Sequence, residues 1–243
     1  MISDWLAFWD GPHCIYVNAR HKDVHYHEIA QQIADLIGTL GDAAPRVLDY
    51  GCGEALHAGI VAAKVGELIL CDGAPGLRAG LHRRFAGHAK IRVLSPHDVE
   101  RLPAQSLDII VLHSVAQYLT ADATAALFLL FHRLLKPLGT VIVGDIIPPM
   151  VPAATDALAL LRFAAANGFF VAAVAGLARS LISDYWRLRG KLGLTRYTEP
   201  DIVARLAEAG FIASRAARNI GHNPARMTFL ARPRAAAAPD AAS

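Results

Sequence analysis

Short, dense apolar runs alternate along this chain with longer stretches whose apolar positions recur at helical spacing. Residues 46–50, 67–71, 91–94, 107–112 and 140–143 have the length and branched aliphatic content of buried strands. Upstream of them, Tyr26, Ile29, Ala30, Ile33 and Ile37 share one helical face, which predicts a helix from Asp23 that ends at Gly38 and Gly41. Helical segments are also predicted over 54–65, over 75–85 behind Pro75, and around Leu127, Leu130, Phe131 and Leu134. Thr120 and Asp122 are capping candidates for the last of these, and Pro137 and Gly139 stop it. Strands alternating with helices at this interval indicate an open parallel sheet with right-handed crossovers. Towards the end, Thr198 heads a helix with acids in its first turn, and Gly210 closes it. Residues 211–216 and 227–232 then read as strands six and seven, whose short polar link favours an antiparallel pair.

The predicted fold class is α/β: a doubly wound, seven-stranded, mostly parallel sheet with a C-terminal antiparallel hairpin. Residues 1–45 form an N-terminal helical arm, and 46–147 with 198–232 form the core. Between the core segments, 148–197 reads as a helical lid insertion, with one long Ala/Leu/Phe-rich helix over 155–189 followed by Lys191 and Arg196. Residues 233–243 are Ala/Pro-rich, the composition of a disordered tail. The most apolar window, 163–178, is interrupted by Asn167 and Gly168 and is shorter than the roughly 20 residues that a membrane-spanning helix needs.

Composition narrows the partners more than the fold. With 243 residues and 54% hydrophobic content the chain can bury a full core. Its net charge of +3, from 24 basic and 21 acidic residues, gives no basic patch for nucleic acid. Cys14, Cys52 and Cys71 lie far apart without metal-type spacing, and residues 1–10 lack the basic-then-apolar order of an export signal. A cytoplasmic protein follows as the expectation.

The chemistry centres on Asp49-Tyr50-Gly51-Cys52-Gly53-Glu54-Ala55, where a strand runs into a glycine turn and then helix-forming sequence. Gly51 and Gly53 let the backbone take positive φ and let a ligand approach the peptide groups. A dinucleotide turn spaces its glycines G-x-G-x-x-G, which would put the third at Leu56. Here a small residue, Ala55, sits two places after Gly53 instead. Asp72 follows Gly53 by 19 residues, where a carboxylate can accept both ribose hydroxyls of a nucleotide ligand.

The order of Asp49-x-Gly51-x-Gly53, Asp72 at the end of strand two, His97-Asp98-Val99 before strand four, and Leu135-Lys136-Pro137-Leu138-Gly139 into strand five resembles class I S-adenosylmethionine-dependent methyltransferases of the small-molecule type. Ala55 and Leu138 depart from glycines usual in that family. The resemblance implies S-adenosylmethionine as cofactor, with Asp49 holding the turn and the cofactor's amino group. It further implies Gly51 and Gly53 along the methionine part, Asp72 on the ribose, and Asp98 with the Val99 N–H at the adenine. Arg20 and Tyr16 of the arm are candidates for the methionine carboxylate, and His113 also stands at the cofactor. No metal is implied.

Methyl transfer is an in-line displacement, so the protein's main task is alignment, with a base needed only for a protonated nucleophile. His113 after strand four, with Gln117 and Tyr118 beyond it, and Asp145 after strand five fall where catalytic groups would stand. His21 and His25, one helical turn apart, admit two readings: a metal pair, or part of a solvated or cofactor-covering face. The loop from His222 to Arg226 reads as a polar turn within reach of substrate. Phe163, Phe169, Phe170, Val174, Leu177 and Leu181 of the lid suit an apolar or lipid-like acceptor, a homodimer face, or peripheral membrane contact. The expected activity is methylation of O, N or C of a small molecule. A catalytically inactive partner-binding or membrane-associated subunit and a nucleotide-dependent oxidoreductase are the alternatives.

Overall fold

The computed structural model describes residues 2–11, 15–41, 43–180 and 193–235. Cys14, Leu181 and Lys191, the far end of the predicted lid helix and most of the predicted tail lie outside the described residues. Seven strands form one sheet in the order β3-β2-β1-β4-β5-β7-β6. In chain order these are β1 (Arg46–Tyr50), β2 (Glu67–Cys71), β3 (Ile91–Leu94), β4 (Leu107–His113), β5 (Leu135–Ile146), β6 (Phe211–Arg215) and β7 (Met227–Pro233). The first five are parallel, and β7 inserts antiparallel between β5 and β6. Strand order reverses between β1 and β4, which leaves a crevice beyond their carboxyl ends.

Alternation along the central strands feeds two layers of core. Leu48, Ile110 and Val143 face one side, against α5 (Pro96–Glu100), α6 (Ala121–Leu134) and α9 (Glu199–Glu208), with Phe128 and Phe131 among its fully buried side chains. Val47, Ile109 and Ile142 face the other, against α2 (Ala19–Thr39), α3 (Ala58–Ala62) and α4 (Pro75–Arg84). Ile33, Ala34 and Ile37 put α2 into this second layer, so the inner turns of the arm are part of the core. A shorter helix, α1 (Ile2–Asp10), precedes it.

Four elements differ from expectation. First, α2 begins at Ala19, because Asn18 caps it through the N–H of His21 at 2.8 Å, and the polar run 19–27 is therefore helical. Second, the helix predicted over 54–65 is reduced to α3, since Gly51, Gly53 and Ala55 all take positive φ and hold the turn open. Third, β5 starts at Leu135, paired with Leu107, and an irregularity before Thr140 accommodates Pro137. Fourth, the single lid helix is divided into α7 (Ala153–Ala166) and α8 (Phe170–Ser180) by Asn167 and by Gly168 at φ 75°. Among the described residues no helix is long and apolar enough to cross a membrane.

Candidate active site

The glycine turn is fixed from three sides. Cys71 at the end of β2 accepts the N–H groups of Gly51 at 2.7 Å and Cys52 at 3.0 Å. A methyl group on Gly51 would lie 2.3 Å from a Val115 methyl carbon, and one on Gly53 would lie 2.8 Å from the Tyr26 hydroxyl. Both positions exclude a side chain by contact as well as by conformation, at φ 81° and 58°. Ala55 keeps the same left-handed conformation, φ 43°, with a Cβ present.

Asp72 lies across the turn. Its Oδ2 accepts the Gly53 N–H at 2.9 Å and its Oδ1 the Ala74 N–H at 2.8 Å, leaving further lone pairs on each oxygen. Asp49, at the end of β1, has no such donors. Burial and the neighbouring Asp72 charge push its carboxyl up to about 7. Asp72 is also raised by burial, but its two backbone bonds oppose the shift, so Asp49 is the carboxyl of the pair that takes up a proton first.

These groups open onto a cavity of about 470 Å³. Asp49, Gly51, Gly53, Asp72, Tyr16, His113 and Tyr118 all line it, so the structure brings together seven residues proposed from sequence. Trp5 and Trp9 of α1 form a wall with Tyr118, at ring-centroid separations of 4.7 and 5.6 Å. Helix α1 is fastened by Asp10, whose Oδ1 accepts the N–H groups of Gly76 at 2.6 Å and Leu77 at 3.2 Å in the first turn of α4. On the α2 side stand His25 and Tyr26. The Tyr26 hydroxyl accepts the Glu54 N–H at 3.2 Å, and its ring lies 5.8 Å from that of Tyr16.

Four proposed residues stand outside this lining. Asp98 is exposed and caps α5, accepting the Ser95 N–H at 3.1 Å and hydroxyl at 2.6 Å, which holds its carboxyl below the usual range. The Val99 N–H is spent on the Ser95 carbonyl at 3.0 Å, and Pro96 is the residue of this helix that reaches the cavity. Arg20 is exposed, and its Nε donates to the Asn167 carbonyl at 3.1 Å. Asp145, at φ 63°, is held in a network with Ser114 at 2.7 Å and Arg226 at 2.7 Å, the latter also 3.3 Å from Asp156.

His113 reaches the cavity with its Nε2 3.2 Å from the Ile220 carbonyl and its Nδ1 3.2 Å from the Ser114 oxygen. A carbonyl only accepts, so Nε2 carries the proton. Ser114 spends its one hydroxyl hydrogen on Asp145, so the Nδ1 lone pair faces the Ser114 oxygen without receiving a hydrogen bond from it. Burial pushes the ring's pKa down. The Ile220 bond orients the ring, and the Ser114 oxygen stands in front of the nitrogen that would receive a substrate proton.

The described part of the lid does not line this cavity. Phe163 and Phe169 pack on α2, with Phe169 stacked on His21 at 5.0 Å and Phe163 on His222 at 4.6 Å. Helix α7 instead borders a separate cavity of about 290 Å³ with Glu28 and His222. Among the described residues no group of three or more His, Cys, Asp or Glu side chains is placed to hold a metal ion. Trp5, Trp9, His25 and Tyr26 were not assigned to the site from sequence, although the aromatic and histidine content of the arm was the available signal.

Residues 47–139 match the family model described as "Methyltransferase domain". The fold is that of class I, Rossmann-like methyltransferases, and residues 47–139 are similar to their domain. The solved DhpI complex with S-adenosylhomocysteine superposes with a TM-score of 0.61 at 12% identity, over 97% of this chain and 98% of that one. The 1,6-didemethyltoxoflavin-N1-methyltransferase of Burkholderia thailandensis, with bound 1,6-didemethyltoxoflavin and S-adenosylhomocysteine, gives 0.57 at 18% identity, over 96% and 87%. For the trans-methyltransferase CalH with S-adenosylhomocysteine the score is 0.55 at 17% identity, and the aligned part is 86% of this chain but 58% of that one. No protein of curated function matches the sequence.

Proposed function

We propose that the protein transfers a methyl group from S-adenosylmethionine to a small molecule with a flat, apolar body. The observation that carries this reading is the continuity of one cavity from the carboxylates Asp49 and Asp72 at the glycine turn to the wall of Trp5, Trp9 and Tyr118. The residues suit the cofactor's parts. Asp72 retains lone pairs for two ribose hydroxyls, and Asp49 is a half-buried carboxyl that accepts no hydrogen bond among the described residues, ready to face an ammonium group. The turn allows backbone approach on the side where Gly51 and Gly53 have no Cβ. When bound, S-adenosylmethionine supplies an electrophilic methyl group on a sulfonium.

The chain's own contribution is position and exclusion of water. Trp5, Trp9 and Tyr118 give one wall of the cavity an aromatic character, which suits a planar acceptor. Aligning acceptor and methyl carbon in such a slot removes much of the entropic barrier. Among the described residues of the lid none lines this cavity, and helix α7 borders the separate one. The Burkholderia thailandensis neighbour, bound to 1,6-didemethyltoxoflavin, supports a small-molecule acceptor in this fold. The test is incubation with methyl-labelled S-adenosylmethionine and a panel of planar hydroxylated and N-heterocyclic compounds beside acyl-chain acceptors. Label is expected in the planar set, and label confined to the acyl-chain set contradicts the proposal.

A further inference from the structure

Among the described residues, His25 is the histidine lining this cavity whose ring makes no hydrogen bond. It sits on α2, one turn beyond His21, with its ring centroid 5.6 Å from Tyr16, 5.9 Å from Tyr26 and 5.8 Å from His222. Among the described residues neither of its ring nitrogens has a hydrogen-bond partner, and neither is sealed from the cavity. The other histidines nearby are committed. His113 Nε2 bonds the Ile220 carbonyl, His57 pairs with Asp23 at 2.8 Å, and His21 accepts the Val17 N–H at 3.3 Å. A polar ring held among aromatic groups without a partner is costly unless something in the cavity completes it.

Burial, with His21, His113, His222 and Arg226 around it, keeps the imidazole neutral, so one nitrogen presents a lone pair. We propose that His25, rather than His113, accepts the proton of the acceptor group, and that the acceptor is therefore an O–H or N–H nucleophile. The proposal rests on the methyltransferase reading above. In the step, the acceptor's lone pair forms the new bond to the methyl carbon and the carbon–sulfur bond breaks onto sulfur. The acceptor's proton passes to the free nitrogen of His25, so the positive charge lost from sulfur reappears on the imidazolium. A weakly basic imidazole suffices, because a neutral hydroxyl becomes far more acidic as it is alkylated, and the proton then leaves for water.

The test uses the full chain saturated with S-adenosylhomocysteine and two planar probes, 1-naphthol and 1-methoxynaphthalene, which differ in the O–H donor. Wild-type protein is expected to prefer naphthol by roughly tenfold, the value of one hydrogen bond to a buried acceptor. His25→Phe should abolish the preference while S-adenosylhomocysteine still binds. His25→Gln, which accepts a hydrogen bond but takes up no proton, should keep the preference and lose methylation of naphthol. The same preference in His25→Phe as in wild type, or none in wild type, overturns the assignment. Failure of S-adenosylhomocysteine to bind wild-type protein would instead overturn the reading on which it rests.

Discussion

The hydroxyl of Tyr26 occupies the space that a side chain at Gly53 would need: a Cβ there would lie 2.8 Å from the Tyr26 oxygen. The same oxygen receives the next N–H in the chain, that of Glu54. Helix α2 thus sets the shape of the glycine turn. Gly53→Ala must displace Tyr26 and hold alanine at φ 58°, which costs about 1–3 kcal/mol. Thermal unfolding should show this loss, and S-adenosylhomocysteine should bind at least tenfold more weakly. Tyr26→Phe keeps the ring and loses the bond to Glu54, so it should cost about 1 kcal/mol of stability and only a small part of the affinity.

Ala55 is a second test of the turn, with the opposite sign. Its positive φ carries a strain of about 1 kcal/mol that glycine would not have, partly offset by the greater freedom of glycine in the unfolded chain. Ala55→Gly should leave the melting temperature unchanged or slightly raised. A clear drop would mean that the Ala55 methyl group, buried beside α2 and α3, contributes more packing than its backbone costs.

Asp49 gives the site a pH dependence. Its carboxyl titrates near 7 in the folded protein, well above the usual carboxylate value of about 4. The folded state therefore binds the extra proton, and stability without ligand should fall as pH rises from about 4 to about 7. Asp49→Asn should flatten this profile and stabilise the unliganded protein above pH 7 by up to roughly 4 kcal/mol. An ammonium-bearing ligand selects the ionised form, so S-adenosylhomocysteine affinity should weaken as pH falls through the same range. Calorimetry in buffers of different ionisation enthalpy should register the proton released on binding.

Helix α1 is tied down by one carboxylate. Asp10→Ala removes the acceptor for the Gly76 and Leu77 N–H groups while leaving both core layers intact. The cost in stability should be about 1 kcal/mol. Dissociation of S-adenosylhomocysteine should accelerate several-fold, because Trp5 and Trp9 form part of the cavity wall. Stopped-flow displacement measures this directly, and an unchanged rate would show that α1 stays closed without its tie.

The sheet is legible because its central strands, such as β2 and β4, are buried on both faces. In β1, β2 and β3 the apolar runs end where the hydrogen-bonded strands end, and Asp49 and Asp72 mark the exits. The part of the site built on those exits was legible for the same reason. What spacing could not convey was the destination of individual polar groups. Asp98 fits a ligand-binding pattern and a helix cap equally well in sequence, and its carboxylate caps Ser95. Asp145, expected after strand five, lies within β5, and Arg226, 81 residues further on, holds it in a network away from the cavity lining. Tyr26 fell on the apolar face of its helix and so was counted with the core, whereas its hydroxyl supports the turn. Contacts between the arm and the glycine turn span 28 residues for Tyr26 and Glu54, and local periodicity carries no information at that range.

The central claim is that the turn, Asp49 and Asp72 form a site for S-adenosylmethionine. Calorimetric titration of the wild-type protein with S-adenosylhomocysteine, beside Asp72→Ala and beside NAD, tests it most directly. Saturable one-to-one binding of S-adenosylhomocysteine is expected, at least tenfold weaker in Asp72→Ala, with no binding of NAD. Binding of NAD without S-adenosylhomocysteine, or affinity unchanged by loss of the Asp72 carboxylate, would contradict it.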